Sequence, residues 1–273
     1  KLVRYSPQGN KTWEVDLGID PDWKDARVRV DEDQNIYVIG RPDNVLTVQR
    51  YRPDGVRLWT RQFEPTTLAV RGAAIDRLGN LFVYSEPPVS ELRRLRKIDP
   101  AGNTLWSKGF NNDGSDGQVA GPFLDIDCNS YVIEDAATYG RYIAISYDAD
   151  GTRRYLTTTG SALPDPAGVV VGAVDRDGNF YIAGGGGNSL SQVWRVSPEG
   201  AITGQNIYDI GFGGLQFPTL LIALDRFGNP YLCGSALTTQ TTVSNGFVYK
   251  LDRNNLGPVG GPYPAPVWTH ELG

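Results

Sequence analysis

Apolar residues along this chain come in short runs of four or five, rich in Val, Ile, Tyr and Phe and bounded by Asp, Gly, Asn and Pro. That texture predicts many short β-strands joined by tight turns. No apolar i, i+3, i+4 stripe is sustained, so a helical architecture is not expected. The stretch VDRDGNFYIAG, Val174 to Gly184, displays the unit: an apolar strand, an Asp-led turn and a second apolar strand. Close copies begin at Ile75 (IDRLGNLFVYS) and Leu224 (LDRFGNPYLCG). Two more, from Val30 (VDEDQNIYVIG) and Leu124 (LDIDCNSYVIE), keep the frame with the turn glycine replaced. In such a turn the Asp side chain accepts hydrogen bonds from nearby backbone N–H groups, and a Gly or Asn adopts the left-handed conformation that closes the hairpin.

The leading acids, Asp31, Asp76, Asp125, Asp175 and Asp225, recur at steps of 45, 49, 50 and 50 residues. A second phrase interleaves with the first: RYSPQGNKTW from Arg4, RYRPDGVRLW from Arg50, KIDPAGNTLW from Lys97, SYDADGTRRY from Ser146 and RVSPEGAITG from Arg195. A sixth, stretched copy runs from KLDRNN at Lys250 to VWTHELG at Val267 across a Gly/Pro-rich insertion. Here a strand ends in a Pro-x-Gly turn, and the next strand carries a tryptophan at Trp13, Trp59, Trp106 and Trp268. Each period therefore holds two hairpins, or four strands. A four-stranded antiparallel unit repeated at about 40 to 50 residues is the signature of a β-propeller blade.

The pairing of D-x-x-G-N-x-Y-V-x-G with a following Y-x-P-D-G-x-x-x-W resembles bacterial β-propeller repeats of the SBBP type, and more distantly NHL and pyrroloquinoline-quinone-type propellers. The resemblance covers essentially the whole chain and implies an all-β fold, a β-propeller of four-stranded antiparallel blades. Five full blades are expected, spanning about 17–63, 64–110, 111–159, 160–209 and 210–273, in a single domain. Their inner hairpins are expected to begin near Ala26, Gly72, Gly121, Gly168 and Leu220. A surplus outer hairpin at Lys1 to Asp16 reads as part of a sixth blade, its inner strands lying upstream in a longer chain or coming from a neighbour. An isolated hairpin would leave Leu2, Tyr5, Trp13 and Val15 uncovered, so it is expected to dock.

The 33 Gly and 18 Pro suit such a fold, and 273 residues suffice for a sizeable core. With 26 Lys+Arg against 31 Asp+Glu, the net charge of −5 offers no basic face for nucleic acid. The densest basic run, RRLRK at Arg93 to Lys97, alternates its side chains across a strand and reads as solvated, with inter-blade ion pairs. No run of 18 apolar residues exists, so no membrane insertion is expected. The sequence contains no Met, so Lys1 reads as the start of a mature product or an excerpt. Together with the repeat resemblance this points to an extracellular, cell-surface or virion-associated protein. Cys128 and Cys233 belong to different repeats and read as free thiols.

Chemistry is limited by a single histidine, His270, on the last outer strand. No multi-histidine metal centre can form, and a Ser-His-Asp triad could use no other residue. The vicinal cysteine pair of pyrroloquinoline-quinone dehydrogenases is missing, so that activity is not carried over. DEDQN, DIDCN and DRDGN have the oxygen spacing of a short calcium loop, but turn capping accounts for their Asp and Asn without an ion. GGGG, Gly184 to Gly187, lacks the strand-to-helix context of a phosphate loop. No catalytic residue, cofactor or metal is assigned.

In a four-stranded blade the regular turns fall at one rim and the irregular links at the other, where recognition is freer to arise. The candidate binding face is that second rim: Trp23, Glu86, Asn111, Asn112, Asp113, Asp116, Tyr139, Arg141, Asn188 and Tyr208. Two function classes follow. The first is a non-enzymatic scaffold or recognition module for a protein or glycan, in an extracellular assembly or phage tail, with 1–16 touching neighbouring chains. The second is a lyase or lactonase-like hydrolase with a carboxylate or metal site at the channel mouth. The mostly apolar innermost strands, with Arg27, Arg29 and Arg71 their chief charges, favour the first.

Overall fold

A computed structural model of the protein describes residues 1–18, 23–63, 69–86, 92–110, 119–136, 141–159, 170–185, 190–209, 219–237, 244–257 and 265–272. Its strands form five four-stranded antiparallel sheets and one two-stranded sheet. The one helical element among the described residues is a 3-10 turn at Pro42–Asn44. The chain divides into two compact units, Lys1–Asn112 and Asp113–Gly273.

The first unit opens with the two-stranded sheet, β1 (Leu2–Tyr5) and β2 (Lys11–Val15). A four-stranded sheet follows, β3 (Lys24–Val30), β4 (Ile36–Arg41), β5 (Thr47–Tyr51) and β6 (Arg57–Gln62). The next comprises β7 (Ala69–Ile75), β8 (Leu81–Glu86), β9 (Arg93–Ile98) and β10 (Thr104–Phe110). The second unit begins with β11 (Val119–Leu124), β12 (Ser130–Ala136), β13 (Arg141–Tyr147) and β14 (Arg153–Thr158). Its second sheet holds β15 (Val170–Val174), β16 (Phe180–Gly185), β17 (Leu190–Val196) and β18 (Ile202–Asp209). Its third holds β19 (Thr219–Leu224), β20 (Pro230–Leu237), β21 (Ser244–Lys250) and β22 (Trp268–Leu272). In every four-stranded sheet the strands lie side by side in chain order. The inner hairpins start within three residues of the positions read from the repeat.

The turn acids act as the pattern requires. At Asp76, Oδ1 accepts from the backbone N–H groups of Leu78 (3.0 Å) and Asn80 (2.8 Å), and Oδ2 accepts from the Asn80 side-chain amide (2.9 Å). The Asn amide bond recurs at Asp31, Asp125, Asp175 and Asp225 at 2.8 to 3.0 Å. The third turn residue is left-handed in each copy, including Gln34 (φ 65°) and Cys128 (φ 64°) where glycine is replaced.

The tryptophans occupy equivalent positions. Trp13, Trp59, Trp106 and Trp268 lie on the outermost strands opposite Arg4, Arg50, Lys97 and Lys250. In the first unit the Trp13 indole N–H donates to the Pro53 carbonyl of the next sheet at 2.9 Å, and Trp59 repeats this one sheet on with Pro100 at 2.9 Å. The Trp13 ring also covers the outer turn at Gly55 (φ 87°), where an added Cβ would lie 3.0 Å from it. The surplus hairpin docks through three of its four apolar residues: Leu2, Trp13 and Val15 pack against Ile36, Val38 and Tyr51 of the first four-stranded sheet, whereas Tyr5 remains 60% exposed.

Within each unit the described sheet-to-sheet seams are apolar. Tyr37 and Ile39 pack with Ala73 and Val83 in the first unit. In the second, Tyr131 and Ile133 pack with Val170 and Phe180, and Tyr181 and Ala183 pack with Leu220 and Leu232. RRLRK differs from its reading as a solvated strand. It forms β9, the third strand of its sheet, and Arg93, Arg96 and Lys97 are buried. A third strand is covered on both faces, so alternation divides its charges between two interiors instead of exposing one set. Arg93 lies 3.3 Å from Glu86, Lys97 lies 3.5 Å from Asp76 and over the Phe82 ring, and the Arg96 guanidinium stacks on Phe63. Both cysteines are free thiols.

Candidate functional site

The proposed loop-end face is partly described. Asn111, Asn112, Asp113, Asp116, Tyr139 and Asn188 lie outside the described residues. Arg141 and Tyr208 stand near the loop ends of β13 and β18, opposite Ala136 and Ser191. Trp23, just ahead of β3, is half-buried against Ile36 and Val38, and its ring lies so close to Gly40 that a Cβ there would come within 2.7 Å. Glu86, at the end of β8, accepts from Arg71 Nε at 2.6 Å and from Arg93 at 3.3 Å. Beside them Arg41, at the end of β4, pairs with Asp25 at 2.8 Å. At this end of the first unit the described charges are therefore engaged within the fold: Trp23 seals a seam, and Glu86 clamps two arginines.

A broad depression lies elsewhere, at the turn end of the second unit. It is an open hollow of about 820 Å³ between the turns that start at Asp175 and Asp225. Its rim carries Arg176, Asp177, Arg226, Phe227 and Arg253. The hairpins position these groups: Arg176 and Arg226 directly follow the capping acids, and their side chains leave the turns towards solvent.

Electrostatics separate committed groups from available ones. Asp175 accepts from Asn179 (2.9 Å) and stands 3.4 Å from the Tyr181 hydroxyl, which burial pushes up to about 12. The Asp225 carboxyl is held at about 2, chiefly by the Asn229 side-chain amide, with the backbone N–H groups of Asn229 and Phe227 and the Lys250 charge adding to it. It is therefore a fixed anion at neutral pH, not a proton donor. Asp177 pairs with Arg253 at 2.9 Å, and Arg253 also donates to the Phe227 carbonyl at 2.9 Å. What remains is Arg176, which makes no hydrogen bond or ion pair among the described residues, and Arg226, whose guanidinium lies 4.6 Å over the Phe227 ring. Phe227 is 60% exposed. Two permanently charged forks beside an open aromatic face can take a carboxylate, sulfate or phosphate and stack its ring or sugar.

The reading of these turns as purely architectural covered Asp and Asn but passed over the residue between them. The signal was present as the shared Asp-Arg in VDRDGN and LDRFGN. His270 is exposed on β22. Among the described residues no three His, Cys, Asp or Glu side chains are grouped to hold a metal ion.

No protein-family model matches the chain, and no curated protein matches its sequence. Solved structures do resemble it. A catalytically inactive virginiamycin B lyase from Staphylococcus aureus, with quinupristin, is 13% identical, with a TM-score of 0.51 over 91% of this chain and 90% of that one. A protein from Lactobacillus plantarum is 14% identical, with a TM-score of 0.53 over 97% and 92%. A 6-phosphogluconolactonase candidate from Bacteroides fragilis is 14% identical, with a TM-score of 0.57 over 99% and 79%. These neighbours are β-propeller-like proteins, and at such identities the likeness concerns the fold alone.

Proposed function

We propose that this chain is a non-enzymatic recognition module of the SBBP repeat class that binds an acidic protein segment or glycan. The observation that carries this reading is the open hollow with Arg176, Arg226 and the exposed Phe227 on its rim. Asp175 and Asp225 are bonded within their turns and Asp177 to Arg253, so a ligand anion meets Arg176 and an Arg226 that is stacked on Phe227 without an ion-pair partner among the described residues. The irregular loop ends, with Arg141, Tyr208 and the loop residues around them, form a second contact face in an extracellular or virion-borne assembly. The likeness to enzymes of the same fold supplies no site residue for the alternative of a hydrolase or lyase.

The test is a binding screen against carboxylated and sulfated oligosaccharides and acidic peptides, with neutral counterparts of equal size. Retention of acidic ligands that weakens with salt supports the reading. Equal binding of neutral ligands, or turnover of a screened compound, overturns it.

A further inference from the structure

We propose that the groove between the N-terminal hairpin and β3 receives a β-hairpin of this same repeat class, supplied by polypeptide outside these 273 residues. The hairpin formed by β1 and β2 is the outer half of a four-stranded sheet. It shares the Arg-opposite-Trp register of β5 and β6, and Trp13 reaches Pro53 as Trp59 reaches Pro100. Among the described residues its inner half has no counterpart, and β1 pairs with β2 alone.

The next sheet is bare where that inner half would lie. At the other seams within each unit, the residue three before the turn Asp faces the residue eight after the preceding turn Asp. Ala73 packs in the cluster that contains Ile39, Gly172 lies so close to Ile133 that an added Cβ would be 2.9 Å from its Cδ1, and Ile222 packs beside Ala183. On β3 the corresponding residue is Val28, which is 46% exposed, and Val30 two residues on is 51% exposed. Between them and β1 lies a groove of about 250 Å³, lined by Leu2, Tyr5, Val28, Val30, Gln34 and Ile36.

The repeat also defines the chemistry of the occupant. Tyr37, six residues after its turn Asp, donates to the carbonyl of Gly79, three residues after the following turn Asp, at 3.0 Å; the equivalent Tyr131 hydroxyl donates to its own Asp125 at 2.8 Å and lies 3.5 Å from the corresponding Gly178 carbonyl. The equivalent acceptor facing the groove is the carbonyl of Gln34. The incoming hairpin therefore carries Tyr six residues after its Asp, to reach Gln34, and an aliphatic residue at eight, to cover Val28. Its second strand adds to the free edge of β1 by strand pairing. A second copy of the chain has no hairpin to spare, since all five are held in its own four-stranded sheets.

The experiment appends a copy of residues 170–185, which contains Tyr181 and Ala183, ahead of Lys1 through a flexible Gly/Ser linker, and also adds the same segment as a free peptide. The control copies carry Asp in place of that Tyr and that Ala. Hydrogen exchange is followed at the Leu2–Tyr5 amides. The expected result is at least tenfold slower exchange with the appended hairpin and a saturable slowing with the peptide, neither being produced by the controls. In the receiving chain, Val28→Asp, an exposed change that leaves its melting temperature unaltered, abolishes both effects. Equal exchange for the appended copy and its control overturns the proposal. So does a concentration-dependent dimer of the unmodified chain that protects the same amides, since the occupant is then a second copy.

Discussion

Replacing Asp76 and Asp99 separately with Ala isolates what burial adds to one and the same turn. Both acids cap a hairpin turn, on the same sheet and with the same bonds: the N–H of the residue four on at 2.8 Å and its side-chain amide at 2.9 Å. Asn103 is exposed and Asp99 only partly covered, so water replaces the lost acceptor and the cost is that of a cap, about 1 kcal/mol. Asp76 and Asn80 are buried, and loss of the acceptor strands two donors of Asn80 with little access to water. Each buried unsatisfied donor costs about 1–3 kcal/mol, and partial relaxation brings the expected loss to about 3 kcal/mol. The substitution also removes the carboxylate 3.5 Å from the Lys97 ammonium, so 3 kcal/mol is a lower figure. At about 2–4 °C per kcal/mol for chains of 150–250 residues, Asp76→Ala lowers the melting temperature by about 6–12 °C and Asp99→Ala by about 2–4 °C. Thermal and urea melts followed by tryptophan fluorescence measure both. Equal losses, or a loss at Asp76 below 1 kcal/mol, refute the reasoning that burial sets the cost.

Gln34→Gly relieves a left-handed residue with a side chain and should stabilise the protein by about 0.5–1 kcal/mol in the same melts, whereas a loss of stability contradicts the strain assigned to this turn. Trp59→Phe removes the N–H that donates to Pro100 and part of the cover over the Gly102 turn, and should cost about 1–2 kcal/mol by urea melt. Asp225 has a folded-state pKa of about 2, below the ordinary value of 3.8, so its contribution is fully present above about pH 4 and disappears as pH falls towards 2. Stability measured across that window should flatten in Asp225→Asn, whereas a profile parallel to the parent's contradicts the assignment.

The architecture was legible because each folding requirement falls on a named residue: Asp and Asn close the inner turn, Gly relieves the outer one, and Trp bridges to the next sheet. The strand order and the docking of the first hairpin follow from those residues and from the need to cover Leu2 and Trp13. RRLRK misled because alternation predicts two faces without stating that a third strand has both covered, which turns surface charge into buried ion pairs. The hollow at Arg176 and Arg226 escaped notice because the turn was explained by its repeated Asp and Asn, while the intervening residue faces the hollow. Glu86 and Trp23 looked available by composition. Only packing reveals that Arg71, Arg93 and Gly40 occupy them.

The central claim is that Arg176 and Arg226 are recognition groups standing on an architectural turn. Calorimetric titration of an acidic ligand from the screen into the parent chain and into the Arg176→Ala, Arg226→Ala double variant tests it most directly, with melting temperatures recorded alongside. The claim predicts at least a tenfold loss of affinity and a shallower salt dependence in the variant, with the melting temperature unchanged within about 2 °C, since exposed side chains contribute little to folding. Unchanged affinity in a variant that remains folded would contradict it.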